Sequence, residues 1–264
     1  MRKILIFALC LIGVALILAP SVAAGSQFSM TVQLTDDFGY LWTLTVKKHA
    51  IVWYLYGTVF TDVGTFLARG FAQSPEMVLW CNGPGDPSAD SFAYIGRWDV
   101  KAKTFDGVFI SYMDGTSWYG NVSMGIAVSE IESEMSPLTP LATYARGGGM
   151  TPGGLDFDIQ SNLQLTGTTI FEDSWAYIWD LNEVMYQGHV YYGRTSAMDG
   201  SPAFGFRDRS EMFLWANGPG GDTGYVDSFV YIGKWIEVNL FDGAWINYYN
   251  GDMVATGMVT LWEI

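Results

Sequence analysis

One stretch of this sequence occurs twice, and that duplication constrains the fold more than any other feature. The segment EMVLWCNGPG at residues 76–85 recurs as EMFLWANGPG at 211–220. DSFAYIGRW at 90–98 recurs in the same order as DSFVYIGKW at 227–235. Self-similarity of this kind predicts two copies of one structural unit, arranged in tandem.

Each copy has the pattern of short β-strands separated by tight turns. Apolar, aromatic and β-branched runs of a few residues alternate with Asp-Gly, Asn-Gly and Gly-Pro pairs, whereas capped helical runs are missing after residue 24. Asp114-Gly115 and Asn250-Gly251 lie between runs that can pair, and both accept the positive φ angles of a two-residue hairpin turn. We therefore expect roughly eight short antiparallel strands in each copy.

A meander of this size can close on itself, which removes exposed sheet edges. The predicted fold class is all-β, a tandem duplication that is similar in architecture to calycin-type barrels such as lipocalins and avidins. Each copy contains a Gly-x-Trp, at 96–98 and 233–235. Lipocalins carry that motif on their first strand, whereas here it comes late in the copy, so the resemblance covers architecture only. A two-sheet sandwich in each copy fits the same pattern.

The first 24 residues have the composition of an export signal. Arg2 and Lys3 precede an apolar run over residues 4–19, and Val22-Ala23-Ala24 provides the small residues that signal peptidase recognises. We predict cleavage after Ala24 and a secreted or periplasmic protein without a membrane span after signal removal. A retained N-terminal anchor is the alternative, because the run approaches the length of a spanning helix.

These features divide the chain into four parts. They are a signal peptide (1–24), a first β unit (27–130), a linker rich in Pro and Gly (131–154) and a second β unit (155–264). Within the second unit, the first strand is predicted near residues 159–165.

Charge and cysteine content exclude some classes of protein. The chain has 13 basic and 27 acidic residues, a net charge of −14; removal of Arg2 and Lys3 with the signal leaves 11 against 27, or −16. Such a surface repels phosphate backbones and anionic lipid headgroups, so a nucleic-acid partner is not expected. Cys81 is the only cysteine left after signal removal, so the fold depends on its core and not on disulfides.

One strand in each copy places aromatic residues on a single face, since side chains alternate along a strand. This face is either core, with a glycine making room for a neighbouring ring, or a wall for a small apolar or aromatic molecule or a glycan. The opposite face ends in a basic residue, either a solvated rim position or an anchor for an anionic group. The candidate ligand-binding residues are Phe92, Tyr94, Arg97, Trp98, Phe229, Tyr231, Lys234 and Trp235.

Oxygen-bearing side chains collect in the loop after each Asn-Gly-Pro-Gly, and calcium prefers such oxygen ligands. The weak calcium candidates are Asp86, Asp90, Asp222 and Asp227. Turn formation explains the same residues without a metal, so we predict no cofactor and no metal site.

Evidence for catalysis is limited to carboxylates that occur in both copies. Glu76 with Asp106, and Glu211 with Asp242, could act as the acid and base of a glycoside hydrolase, although Asp before Gly is also common in turns. The histidines His49 and His189 do not occupy equivalent positions, so a duplicated histidine site is excluded and a site in one unit stays open. No catalytic residue is assigned.

The sequence favours an exported, non-enzymatic protein that binds a small apolar or aromatic molecule or a glycan. The alternatives are a structural or surface-assembly protein that binds a protein partner or itself, an outer-membrane β-barrel, and the glycoside hydrolase. Outer-membrane strands need about 9–11 residues with apolar residues facing out and polar residues facing in. Met77–Trp80 is shorter than that and apolar on both faces.

Overall fold

A computed structural model describes residues 29–49, 52–83, 91–127, 165–185, 188–197, 200–218, 228–249 and 252–264. The predicted signal peptide, the predicted linker and the four calcium candidates lie outside these ranges.

Sixteen β-strands account for most of the described residues. The first unit contains β1 (Ser29–Asp36), β2 (Leu41–His49), β3 (Val52–Phe60), β4 (Thr65–Gln73), β5 (Glu76–Asn82), β6 (Ser91–Asp99), β7 (Thr104–Met113) and β8 (Thr116–Ile126). The second contains β9 (Leu165–Asp173), β10 (Ile178–Met185), β11 (His189–Thr195), β12 (Pro202–Asp208), β13 (Glu211–Asn217), β14 (Ser228–Glu237), β15 (Leu240–Tyr249) and β16 (Asp252–Glu263).

Each set of eight strands closes into its own antiparallel barrel. Consecutive strands pair with each other, and closure comes from pairing β1 with β8 and β9 with β16. The predicted all-β tandem duplication is therefore confirmed, and the units are closed barrels, not sandwiches. The turn at Asp114-Gly115 also has the predicted geometry, with φ angles of 44° and 77°.

The first described strand of the second unit is one that the sequence analysis did not predict. Residues 159–164 lie outside the described ranges, and the strand that begins this barrel is β9 at Leu165–Asp173. Its sequence, LTGTTIFED, contains three threonines and only three apolar residues, so it does not form a continuous apolar run. This strand was not singled out in the sequence analysis, and the prediction near 159–165 lies outside the described residues except at position 165.

The inside of each barrel is filled with large apolar side chains. Alternation along the strands brings one residue in two to this interior. Buried examples are Trp42, Leu79, Tyr94 and Phe105 in the first barrel, and Trp179, Leu214, Tyr231 and Phe241 in the second. Glycine makes this packing possible where strands meet: a Cβ on Gly96 would lie 2.8 Å from Cζ of Phe105.

A third apolar core lies between the two barrels. The outer faces of β3–β7 pack against the outer faces of β11–β15, and both surfaces are buried. The ring of Phe71 lies 5.2 Å from that of Phe204, and the ring of Trp80 lies 5.4 Å from that of Phe213. The repeated strands are apolar on both faces because one face lines a barrel and the other faces the second barrel.

Polar contacts at the edge of this interface follow an approximate two-fold relation. Asn82 Nδ2 donates to Asp208 Oδ2 at 2.9 Å, and its equivalent Asn217 Nδ2 donates to Gln73 Oε1 at 2.9 Å. Gln73 and Asp208 end the equivalent strands β4 and β12. The two barrels therefore face each other through the same surface, as the subunits of an isologous dimer do.

Because the interface is a shared core, a cavity in it should destabilise both barrels. Ile95→Ala removes a fully buried interface side chain, and we expect it to cost about 3 kcal/mol in the free energy of unfolding. Urea unfolding followed by peptide-level hydrogen exchange will show whether peptides from both barrels lose protection together. The control Thr31→Ala, at an exposed position of β1, should change stability by only about 0.5 kcal/mol. Loss of hydrogen-exchange protection in peptides of the first barrel alone would contradict a shared core.

Candidate functional site

A buried carboxylate that the sequence analysis did not single out organises one end of the first barrel. Asp36 is the last residue of β1. Its Oδ2 accepts hydrogen bonds from Trp42 Nε1 at 2.9 Å and Tyr94 Oη at 2.7 Å. Its Oδ1 accepts the backbone N–H groups of Phe38 at 3.0 Å and Tyr40 at 2.9 Å. One side chain thus connects the β1–β2 turn to the barrel core.

The second barrel repeats this arrangement around Asp173. Its Oδ2 accepts from Trp179 Nε1 at 3.3 Å and Tyr231 Oη at 2.9 Å, and its Oδ1 accepts the N–H groups of Trp175 at 2.9 Å and Tyr177 at 3.0 Å. The same carboxylate, indole, phenol and turn amides therefore occur in both units.

A repeated motif accompanies these contacts and could have revealed them from the sequence. DDFGYLW at 36–42 matches DSWAYIW at 173–179 in the pattern Asp-x-aromatic-x-Tyr-apolar-Trp. The turn that it forms places Gly39 at φ 81° and Ala176 at φ 62°, and the aspartate holds its amides in place. Aspartate before a turn has a common structural explanation, so the motif does not stand out without the tyrosine and tryptophan partners.

Burial fixes the protonation of the two phenols. Desolvation and the neighbouring aspartate raise the pKa of Tyr94 and of Tyr231 far above the usual value for tyrosine. Both hydroxyl groups therefore remain protonated and act as hydrogen-bond donors to the carboxylates. Their role is to position the aspartates and the adjoining turns.

The predicted aromatic wall lies inside the barrels. Phe92 and Tyr94 pack against Trp42, with ring centroids at 5.7 Å and 5.2 Å. Their equivalents Phe229 and Tyr231 pack in the same way against Trp179, at 5.5 Å and 5.1 Å. These rings form core packing. Trp98 and Trp235 lie further along the same strand faces, towards the opposite end of each barrel.

The two basic candidates are engaged in ion pairs on the side facing the other barrel. Arg97 Nε lies 3.2 Å from Glu76 Oε1. Lys234 Nζ contacts Asp114 Oδ1 in the β7–β8 turn of the first barrel. Lys234 therefore connects the two barrels.

The candidate acid pairs are part of the same region. Arg97 lies opposite Glu76 on one neighbouring strand and opposite Asp106 on the other. In the second barrel, Asp242 Oδ2 accepts a hydrogen bond from Tyr112 Oη of the first barrel at 2.7 Å. These carboxylates take part in contacts that join strands and barrels.

Other predicted features are placed as follows. The described residues contain no group of three or more His, Cys, Asp or Glu side chains that could hold a metal ion.

Cys81 is buried, its Sγ donates to the carbonyl of Gly83 at 2.7 Å, and burial raises the pKa of its thiol. Within the described ranges, no helix has the length and hydrophobicity to cross a membrane.

Exposed aromatic residues lie directly beyond the aspartates, at a region that we call the barrel mouth. In the first barrel the mouth consists of Phe38, Tyr40 and Phe109, and the ring of Phe38 meets that of Phe109 edge to face at 5.2 Å. The side chain of Phe38 is 49% exposed although the aspartate fixes its backbone. A cluster of large apolar rings exposed to solvent can mark a binding surface.

The second mouth repeats the geometry with larger rings. It consists of Trp175, Tyr177 and Trp245, and Trp175 meets Trp245 edge to face at 5.5 Å with an interplanar angle of 88°. The side chain of Trp175 is 45% exposed. Gly257 makes room for the indole of Trp245, because a Cβ at that position would lie 2.8 Å from Nε1.

No protein-family model matches this chain, and no curated protein shows significant similarity to it. The mouths occur at equivalent positions in both barrels and expose aromatic rings, and they form the candidate functional site.

Removal of the aspartate should collapse the mouth that it supports. Asp36→Ala leaves two buried donors, Trp42 Nε1 and Tyr94 Oη, without their acceptor, and we expect a loss of about 3 kcal/mol in the free energy of unfolding. Asp37→Ala is the matched control: the exposed Asp37 carboxylate accepts only the exposed N–H of Ser123 among its described contacts, so the expected loss is about 1 kcal/mol or less. Equal losses in urea unfolding would contradict the proposed role of Asp36.

Proposed function

We propose that this chain is an exported, non-enzymatic protein that binds a small ring-shaped ligand, a sugar or an aromatic molecule, at the mouths of its two barrels. The observation that carries this proposal is the pair of edge-to-face aromatic clusters, Phe38 with Phe109 and Trp175 with Trp245, at equivalent positions. The duplication has retained large exposed rings at the same place in both barrels.

The physical character of the mouth suits a flat ligand with polar groups on its edge. Covering an exposed ring removes apolar surface from water, a gain of about 25 cal/mol per Å². The carboxylate of Asp62 lies beside the hydroxyl of Tyr40, and burial together with Asp62 and Asp36 raises the pKa of that tyrosine. An aromatic platform next to hydrogen-bonding oxygens offers both attraction and orientation.

The packing of the barrel interior favours the mouth over the interior as the binding place. The predicted wall residues Phe92, Tyr94, Phe229 and Tyr231 are buried among other core side chains. A ligand inside would have to displace this core. The ligand-binding role predicted for these residues is therefore replaced in our proposal by support of the mouth.

The polarity of the strand faces favours this proposal over an outer-membrane barrel. Membrane barrels present apolar residues outwards and polar residues inwards. Here Trp42 and Leu44 of β2 face the interior of the barrel. Thr43 on the same strand faces outwards, and its Oγ1 accepts a hydrogen bond from Gln33 Nε2 of β1 at 3.4 Å.

A second candidate function, surface assembly, has one observation in its favour. Ile170, Trp262 and Ile264 are exposed on the outer face where β9 and β16 meet. Such a patch can bind another copy or a protein partner. Analytical ultracentrifugation over a range of concentrations separates the functions: concentration-dependent oligomers that Trp262→Thr abolishes support assembly.

Export predicts a definite mature chain. Expression of the full-length sequence in a bacterial host should give a protein in the periplasm or medium. Its intact mass should be that of a chain that begins at Gly25. Ala24→Lys should block cleavage because the site requires a small residue, and Ser26→Lys serves as the control outside the recognised positions. Cytoplasmic accumulation of the uncleaved wild-type chain would contradict export.

Ligand binding at the mouths should depend on the exposed rings. We expect calorimetric titration with a panel of oligosaccharides and small aromatic molecules to find a ligand with two sites per chain. Phe38→Ala and Trp175→Ala should each weaken one site about tenfold, since a ring contact contributes about 0.5–1.5 kcal/mol beyond its area. Trp262→Ala, which removes a tryptophan of similar exposure (42%) from the outer face, is the control.

Two outcomes would contradict this function. One is that neither panel contains a ligand for the wild-type protein. The other is that the double variant Phe38→Ala/Trp175→Ala binds as tightly as the control.

A further inference from the structure

The end of the second barrel opposite its mouth carries a cluster of polar and ionisable side chains inside the barrel. Glu183 lies on β10. Its Oε1 contacts His189 Nδ1, and its Oε2 accepts a hydrogen bond from Thr169 Oγ1 at 3.3 Å. Tyr191 lies directly opposite Glu183 in the strand register, and Arg207 lies opposite His189. We call Glu183, His189, Tyr191, Arg207 and Trp235 the polar end.

The first barrel has apolar residues at these positions. The register equates Glu183 with Val46, His189 with Trp53, Tyr191 with Leu55 and Arg207 with Ala72. The side chains of Val46, Leu55 and Ala72 pack in the core of the first barrel. The first barrel also has a cation at this end, Lys48, whose Nζ lies 5.7 Å from the centroid of the Trp53 ring, but the combination of Glu183, His189 and Arg207 occurs only in the second barrel.

Two donors in the polar end lie next to each other. The guanidinium of Arg207 sits over the ring of Trp235, with Cζ 4.8 Å from its centroid. Arg207 also donates to the carbonyl of Arg209 at 3.0 Å through Nε, and it hydrogen-bonds Tyr191. A guanidinium has five N–H groups in a planar fork, so these contacts leave capacity for a further acceptor.

The indole of Trp235 provides the second donor. Its side chain is buried, at 8% exposure, and its Nε1 has no hydrogen-bond partner among the described residues. A buried N–H group without an acceptor costs about 1–3 kcal/mol. The indole nitrogens of Trp80, Trp215 and Trp245 also have no partner among the described residues, so Trp235 is distinguished by its position under the guanidinium of Arg207. An acceptor supplied by a ligand would remove this cost.

The surroundings define the remaining chemistry. The ring of Phe171 lies 5.6 Å from that of Trp235 and 5.9 Å from that of Tyr191, so the donors are set beside apolar surface. Burial and the carboxylate of Glu183 raise the pKa of Tyr191 well above the usual value, so this hydroxyl is a donor as well. Glu183 engages Nδ1 of His189, and the other imidazole nitrogen takes no part in that contact. Among the described residues, Glu183 pairs with His189, and the carboxylates of Glu183 and Glu263 both act on the hydroxyl of Tyr191.

We propose that the polar end of the second barrel binds a small organic carboxylate with an apolar body. Arg207 and Trp235 Nε1 hold the carboxylate, the apolar body remains at the rim of the barrel, and Glu183 positions His189 at the same rim. The chain as a whole carries a formal charge of −14, which disfavours non-specific binding of anions. Anion binding measured on this protein therefore reports a local site.

The test uses benzoate as the probe and the indole N–H resonance of Trp235 as the readout. The resonance is assigned in a ¹H–¹⁵N spectrum of the full protein through its loss in Trp235→Phe. We expect benzoate to shift this resonance with saturation, and benzamide, which has the same shape without the charge, to bind at least tenfold more weakly. Absence of a saturable shift with benzoate, or equal binding of benzamide, would overturn the proposal.

Arg207→Ala tests the guanidinium without a severe folding risk, because it copies Ala72 of the first barrel. It should weaken benzoate at least tenfold. Arg194→Ala, which removes an exposed arginine of β11 that donates to the carbonyl of Gly200, should leave binding unchanged. Equal affinity in Arg207→Ala and Arg194→Ala would also overturn the proposal.

A third variant separates this site from the mouth. Trp175→Ala removes the platform at the other end of the barrel and should not alter the benzoate shift of the Trp235 resonance. Loss of that shift in Trp175→Ala would show that benzoate binds at the mouth and that the polar end is not its site. Failure of sugars and neutral aromatic molecules to bind at the mouths leaves the present test unaffected.

Discussion

The burial of both faces of the repeated strands is the constraint on which the rest of this structure depends. In β5, every residue from Glu76 to Cys81 is buried, since alternate side chains enter the first barrel and the core between barrels. The described residues contain one cysteine, Cys81, which is free. The large apolar core therefore holds this part of the chain together without a disulfide. Functional groups are consequently restricted to the ends of the barrels and to the faces turned away from the interface.

The interface between the barrels is two-fold in outline but not in its composition. Arg69 is 1% exposed, and its guanidinium lies over the ring of Phe206 at 4.7 Å. The equivalent position in the second barrel is Phe204. A buried guanidinium is costly to desolvate, and its stacking on an aromatic ring and its hydrogen bond to the carbonyl of Ala68 offset part of that cost. The two surfaces are therefore complementary to each other and not interchangeable.

Much of the fold could be predicted from the sequence because the relevant signals are local. The repeat, the strand positions in the first unit and the turn at Asp114-Gly115 each follow from neighbouring residues, and the glycine at position 96 has the close aromatic contact that was expected of it. The packing of the barrels against each other could not be predicted. Period-two alternation assigns residues to two faces but does not say whether an apolar outer face meets solvent, a membrane or another barrel.

The candidate sites were harder to predict because they depend on residues far apart in the chain. Tyr94 meets Asp36 across 58 positions, and an aspartate before a turn is explained locally without it. The polar end was missed for a different reason: searching for residues that recur in both copies discards His189 and Arg207. Repetition identifies what both units need, whereas a new site in one unit appears only where the copies differ.

The two ends of the barrels thus carry different information about function. The mouths have the same aspartate, the same turn and the same edge-to-face ring pair in both units, so this arrangement is a property of the repeated unit. The polar end belongs to the second barrel alone, because the first barrel has apolar residues at the equivalent positions. The proposed site in the second barrel is supported by this difference between the copies, together with the indole N–H of Trp235 that has no partner among the described residues.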